Sequence, residues 1–206
     1  MTLGEDFVPR YIIALTGASG AVYALRLLEE LLKQDNSEIH LITSDAARIV
    51  MEQELGWDCQ DSLALSLQRY LPPGKIFFYD NSDIAAAPAS GSFICDSMVV
   101  IPCTMASISA IAQGSSRTLL ERAADVMLKE RRPLFLVPRE TPLNSIHLRN
   151  MLTLSEMGVS IIPAMPAFYH QPRTIEDMVS FVVGKVLDAM QIPHDLFQRY
   201  AGQIKK

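Results

Sequence analysis

The chain has 206 residues, 49% of them hydrophobic and 20% charged, with a formal net charge of −5. That is enough apolar content for a full core and excludes a disordered class, and the negative sign excludes the basic surface that non-specific nucleic-acid binding requires. The acidic start "MTLGEDFVPR" lacks the apolar run of a signal peptide and the basic character of a transit peptide, so a cytoplasmic protein is expected.

The first strand is read at Tyr11–Leu15, and it runs through "TGASG" into a helix at Ala21–Lys33. Leu25, Leu28, Leu31 and Leu32 recur at three- and four-residue spacings, which gives that helix one face to lay on a sheet. The turn starts like a dinucleotide fingerprint but carries Ser19 where the second glycine belongs. Short-chain dehydrogenase spacing fails at Ala21 and Tyr23, no tyrosine has a lysine four residues later, and the hydrolase elbow also fails at Ala21. Free backbone N–H groups and a hydroxyl still suit a phosphate or the polar edge of a ring; the plainer reading is a tight turn capped by Ser19.

A second strand at Glu38–Ile42 leads into helices at Ser44–Leu55 and Asp61–Arg69, then a strand at Lys75–Tyr79. The loop Asn81–Phe93, "NSDIAAAPASGSF", is either a connector or a cover over a site. Twenty uncharged residues follow at Ser97–Ser116, long enough for a membrane span. Pro102, five serines, a threonine and a glutamine make the segment too polar for lipid, so it reads as a buried strand, Ser97–Ile101, and a helix, Met105–Gln113. Thr104 sits at the N-cap position with Ser107 three residues on, a pair suited to anionic or carbonyl groups. Cys103 has no neighbouring histidine or cation and reads as a buried thiol.

In the helix Thr118–Glu130, Arg122 and Lys129 lie two turns apart on one face, and Arg139 with Glu140 leaves the next strand, Leu134–Val137, at its carboxyl end. A solvated helix face explains such cations; a cage for a phosphate monoester, with one carboxylate left as acid or base, explains them too. A helix at Ser145–Met157, a strand at Val159–Ile162, the loop "PAFYHQP" with Tyr169 and His170, and a helix at Ile175–Met190 complete the chain. Cys59, Cys95 and Cys103 are odd in number and lack C-x-x-C spacing, and the four histidines lack H-x-x-x-H spacing, so reduced thiols and no metal are expected.

Alternation of apolar strands with amphipathic helices predicts one α/β domain over residues 1–206, doubly wound and Rossmann-like, with a mostly parallel sheet between two helical layers. Ligands of such sheets bind at the carboxyl ends of the strands, where "TGASG", "TSDAA", "PCTMAS", "PRETP" and "PAMPAFYHQP" fall.

Taken together, "TGASGAVYALRLLE", "PASGS", "LLERAADVMLKERRPLFLVPRETP", "IHLRNMLTLSEMG" and "PAMPAFYHQP" resemble the UbiX/Pad1 flavin prenyltransferases, collinearly from Tyr11 to Tyr200. The resemblance implies a flavoprotein that joins a dimethylallyl group from dimethylallyl monophosphate to N5 and then C6 of reduced FMN, the flavin serving as acceptor substrate. It implies release of prenylated FMN to a UbiD-type decarboxylase, without a metal, in a homo-dodecamer whose neighbouring subunits complete the site. By the same resemblance Gly17, Ala18, Ser19, Ser44, Thr104, Met105, Ala106, Ser107 and Arg139 hold FMN, with Ser19 near N5. Arg122, Lys129, Tyr169 and Lys185 hold the prenyl phosphate, and Glu140 manages protons. Lys185 stands where some relatives have arginine, which keeps the charge and gives up two-pronged hydrogen bonding. Two other readings stay open: a decarboxylase of the cysteine-decarboxylase flavoprotein group, and a flavin carrier without turnover. The first is weakened by "PASGS" in place of a "PASANT"-like motif and by the lack of any histidine between His40 and His147.

Overall fold

The structure, a computed structural model, describes residues 8–34, 36–59 and 63–199. Asp61 and Ser62, where the third helix was expected to begin, lie outside the described residues, as does Tyr200.

Among the described residues the strands are β1 (Arg10–Leu15), β2 (Glu38–Thr43), β3 (Lys75–Asp80), β4 (Ser97–Cys103), β5 (Leu134–Pro138) and β6 (Ser160–Ile161). The helices are α1 (Ala21–Leu32), α2 (Asp45–Leu55), α3 (Leu63–Tyr70), α4 (Met105–Ala112), α5 (Leu119–Lys129), α6 (Ser145–Glu156) and α7 (Ile175–Ala189). The strands form one sheet in the order β3-β2-β1-β4-β5-β6, and every pairing is parallel, where a mostly parallel sheet was expected.

The sequence dictates this arrangement through continuous apolar runs. β4 and β5 are buried along their whole length and β1 beyond Arg10, as strands covered on both faces must be. Alternate side chains then feed two cores. Ile13, Leu15 and Leu41 pack with Leu27 of α1 and Val183 of α7 on one face; Ile12, Ala14 and Val100 pack with Ile108, Met127 and Leu154 of α4, α5 and α6 on the other. β3 is an edge strand, and its side chains are only partly covered.

The face that α1 lays on the sheet is Ala21, Ala24, Leu27, Leu28 and Leu31. Leu25 and Leu32, expected there, sit on its flank. Each buried leucine contributes about 1.5–3 kcal/mol of transfer free energy. β6 is shorter than expected because Pro163 has no N–H to donate. The pairing nevertheless continues irregularly, through Ile162 N to Leu136 O at 2.8 Å and Ala164 N to Pro138 O at 2.9 Å. β4 is fully buried, so of the apolar stretch Ser97–Ala112 only α4 reaches the surface.

Chain order reverses between β1 and β4, which are adjacent although β2 and β3 intervene in sequence. That switch point opens a crevice at the carboxyl ends of the two strands. The 81–93 loop is strapped to α5. Asn81 caps α5 by accepting from Leu119 N through its carbonyl and from Leu120 N through Oδ1, Arg122 donates to Ala89 O, and Arg132 donates to Gly91 O and Phe93 O.

Candidate active site at the strand ends

The β1–α1 turn builds the centre of the crevice. Gly17 lies so close to α2 that a Cβ there would come 2.5 Å from the Ala46 methyl, and Gly20 adopts φ 112°, a left-handed conformation that side chains resist. Gly20, and not Ser19, is the N-cap residue of α1, and it offers no side chain. The cap comes from elsewhere. Glu54, at the far end of α2, accepts from Gly20 N at 2.8 Å and Ala21 N at 2.9 Å, and also from the Ser19 side chain.

This carboxylate sits where a dinucleotide's pyrophosphate would lie, at the positive end of α1. Burial alone would raise its pKa; the hydrogen bonds from Ser19, Gly20 and Ala21 and the charge of Arg139 outweigh that and hold it below the ordinary carboxylate value. An ionised Glu54 repels a second anion, so the turn is no cradle for a phosphate. Sequence reasoning missed Glu54: it stands thirty-four residues after Gly20 on another helix, and no local motif marks it.

Arg139 and Glu140 leave β5 as expected. Arg139 Nε donates to Ser19 O at 3.2 Å, which fastens the end of β5 to the β1–α1 turn across β4. Glu140 Oε1 accepts from Thr141 N at 3.0 Å and stays exposed.

The β4–α4 turn forms the opposite wall. Thr104 is the N-cap of α4; its Oγ1 accepts from Ser107 N at 3.1 Å and pairs with Ser107 Oγ at 3.0 Å. Met105 is partly buried against the core of its own face, and the first N–H groups of α4 have no helical acceptors. Thr16, which sequence reasoning left without a role, joins the two walls. Only 4% exposed, its hydroxyl donates to Pro102 O at 2.6 Å and accepts from Thr104 N at 2.9 Å. Ser44 caps α2 through Ala47 N at 3.2 Å and hydrogen-bonds Leu15 O through its own N–H, which places it beside the same crevice. Cys103 is a fully buried thiol whose pKa burial pushes far up, in keeping with an inert core group.

The remaining charged residues form two further groups. Arg122 and Lys129 do share a face of α5, and both meet the loop: Arg122 through Ala89 O, and Lys129 so near Gly91 that a Cβ there would lie 2.8 Å from its Nζ. In this chain they are paired with Asp125 and Glu130 respectively. Tyr169 and Lys185 share an aromatic cluster: Tyr169 meets Phe181 edge-on, Phe181 packs on Phe197, and Lys185 Nζ lies 5.9 Å from the Phe197 ring. Lys185 also pairs with Asp188 at 3.2 Å. His170 stacks flat on Phe181, a packing role.

The residues fit a flavin. A serine turn, a helix start with free N–H groups and the Arg139 guanidinium could give ring-edge hydrogen bonds and hold one phosphate. Among the described residues no group of three or more histidines, cysteines, aspartates or glutamates is arranged to hold a metal ion, and no helix is long and apolar enough to cross a membrane.

Known proteins resemble this chain over nearly its whole length. A family model described as Flavoprotein matches residues 3–187. The flavin prenyltransferase UbiX of Alkalihalophilus pseudofirmus is 49% identical over 189 residues, 91% of this chain and 94% of that protein. The fold matches a dodecameric FMN-dependent UbiX-like decarboxylase from Escherichia coli O157:H7 with a TM-score of 0.85, at 44% identity, covering 94% of this chain and 100% of that one. AnUbiX (PadA1), solved in complex with FMN and dimethylallyl pyrophosphate, matches with a TM-score of 0.85 at 38% identity, covering 96% of this chain and 100% of that one.

Proposed function

The chain belongs to the UbiX flavin prenyltransferases, and from that premise we propose that it transfers the dimethylallyl group of dimethylallyl monophosphate to N5 and C6 of reduced FMN, with release of phosphate. The observation that carries this reading is the joining of the serine turn, Glu54 and Arg139 at the β1–β4 switch point, in a chain alike over nearly its full length to flavin prenyltransferases.

The residues divide the work as follows. Gly17, Ala18 and Ser19 lie along one edge of the ring, Arg139 closes it, and Ser44 with Thr104, Met105, Ala106 and Ser107 holds the ribityl phosphate through hydroxyls and helix N–H groups. Ser19 donates its proton to Glu54. Its oxygen is therefore free to accept from the flavin N5–H, and the ionised Glu54 is placed to draw that proton through Ser19 as N5 gains its carbon bond. Breaking the allylic C–O bond builds charge on the departing phosphate. Arg122, Lys129, Tyr169 and Lys185 meet that charge, and fixed cations stabilise it more in the transition state than before. Glu140 takes up the proton released as the C6 bond closes or hands one to the phosphate.

Among the described residues the partners of Arg122 and Lys129 lie on the 89–91 loop, on α5 or at its C-cap, Glu130. We assign their delivery to neighbouring subunits of a homo-dodecamer. Exposed Ile146, Leu148 and Leu152 of α6, with Met165 and Phe168, supply apolar surface for those contacts. We place the reaction in the cytoplasm, where the three buried cysteines stay as thiols, and the product goes to a UbiD-type decarboxylase. Mixing the purified protein anaerobically with reduced FMN and dimethylallyl monophosphate tests the reading: inorganic phosphate is released in proportion to flavin consumed, and no release above the protein-free rate would contradict it.

A further inference from the structure

Every strand pairing is parallel, so the crossover helices run back and end at the edge of the sheet opposite the crevice. At that edge the ends of α5, α6 and α7 surround a recess of about 1020 Å³, at the upper end of the range for small-molecule sites. All three helices close on the same turn. The residue after the cap is left-handed, with φ 55° at Arg131, 90° at Gly158 and 61° at Gln191. The next N–H then reaches back into the helix: Arg132 N to Met127 O at 2.8 Å, Val159 N to Leu154 O at 3.0 Å and Ile192 N to Leu187 O at 2.9 Å. Glycine takes that conformation without strain, and of the three only α6 uses it. α5 and α7 instead hold a guanidinium and a carboxamide at the recess.

Two of the charged groups around the recess are already engaged. The Arg132 guanidinium donates to Phe93 O and Gly91 O, and the Asp96 carboxylate accepts from Arg10 N at 2.7 Å. Among the described residues the Arg131 side chain has no hydrogen-bond or ion-pair partner. Ser97, at the start of β4 and only 4% exposed, lines the same recess with a hydroxyl that also has none. A buried polar group without a partner is uncommon in a folded chain and points to one supplied from outside. Phe135 and Ile192 give the recess an apolar wall. Charge then narrows the ligand. One unpaired guanidinium offsets one negative charge, while Asp96 and the partial negative charge of three helix ends oppose a second. A phosphate dianion is therefore disfavoured, and a monoanion is matched.

We infer that this recess is a second small-molecule site, away from the crevice, and that it takes an organic monocarboxylate with an apolar body and a hydroxyl. The carboxylate meets Arg131, the body lies on Phe135 and Ile192, and the hydroxyl pairs with Ser97. The probe is 3-(4-hydroxyphenyl)propanoate, titrated calorimetrically into the full chain saturated with FMN so that the crevice is filled. 4-Propylphenol, which lacks the carboxylate, is the control. Arg131→Gly removes the cation at a position whose φ of 55° suits glycine, and Ser97→Ala removes a buried hydroxyl without a partner, so neither variant should melt below the wild type.

The wild type binds one probe per chain, and 4-propylphenol binds at least about tenfold more weakly, the scale of a lost charge-assisted hydrogen bond. Arg131→Gly weakens the probe by about 10- to 150-fold on the same scale, and Ser97→Ala by about 2- to 10-fold, the range for a neutral hydrogen bond. If Arg131→Gly fails to fold, Ser97→Ala decides alone. No saturable binding with the probe at about 1 mM, where even a weak site is half filled, overturns the inference. So does an affinity unchanged in both variants, or displacement of the probe by dimethylallyl monophosphate, which would put it in the crevice. Prenyl transfer plays no part in the readout, so this site and the prenyltransferase reading stand or fall separately.

Discussion

Replacing Thr16 by valine keeps the shape of a buried side chain and deletes the hydroxyl that joins the two walls of the crevice. In the native chain Thr16 is 4% exposed, and its hydroxyl donates to Pro102 O at 2.6 Å and accepts from Thr104 N at 2.9 Å. Valine satisfies neither group, and each unsatisfied buried partner costs about 1–3 kcal/mol. Thr104 lies nearer the surface and regains part of its bond from water, so the pair should cost about 2–4 kcal/mol. For a chain of this size that corresponds to roughly 4–16 °C in the midpoint of thermal unfolding. Thr16→Ser retains the hydroxyl and should lose only the methyl packing. Urea unfolding of the three proteins separates the terms, and FMN titration reads the crevice, which should bind more weakly in Thr16→Val than in Thr16→Ser. A Thr16→Val protein within about 0.5 kcal/mol of wild type, the scale of an inconsequential surface change, would refute the reasoning.

His40 is buried against Phe77, Phe93 and Tyr79, and burial followed by the nearby charge of Arg10 lowers its pKa to about 4, with Glu38 opposing. The folded state thus binds a proton less readily than the unfolded chain. Stability tied to His40 is complete above pH 6.5 and drains away between pH 6.5 and about 4, by about 3 kcal/mol in all. His40→Phe should flatten that part of a plot of urea midpoint against pH; parallel profiles would count against it. Glu54→Gln keeps the shape of the cap and removes its charge, so prenyl transfer should fall by about 10²- to 10⁴-fold, the range for a lost proton acceptor. Turnover within about twofold of wild type would remove Glu54 from that role. Arg122→Ala should retain FMN and lose about 10²- to 10³-fold in turnover; loss of FMN binding instead would mean that Arg122 serves the flavin.

Most of the fold was legible because the apolar runs of β1, β4 and β5 and the helical spacings between them are strong local signals, and the structure moves most element boundaries by only a residue or two. β6 also moved by only one residue at each end, but that halves its expected length, and beside Pro163 the ladder goes on irregularly without any change in the apolar pattern. In α1 the leucines of "LRLLEELL" crowd the stripe, and periodicity alone did not separate Leu27 from Leu25. The layout of the candidate site was legible where a residue follows a strand end, as in the positions of Ser19, Thr104 and Arg139. It was illegible where the partner is distant in sequence: Glu54 reaches Gly20 from another helix, and Thr16 bonds across to Pro102 and Thr104. Such contacts follow from the parallel order of β2, β1 and β4, which no short motif encodes.

A carbon–nitrogen bond made to flavin by this chain is read most directly from the mass of the flavin itself. After incubation of the purified protein with reduced FMN and dimethylallyl monophosphate, the flavin should gain one dimethylallyl unit, with an established flavin prenyltransferase as the parallel control. FMN recovered at its original mass while the control reacts would mean that this chain does not prenylate flavin.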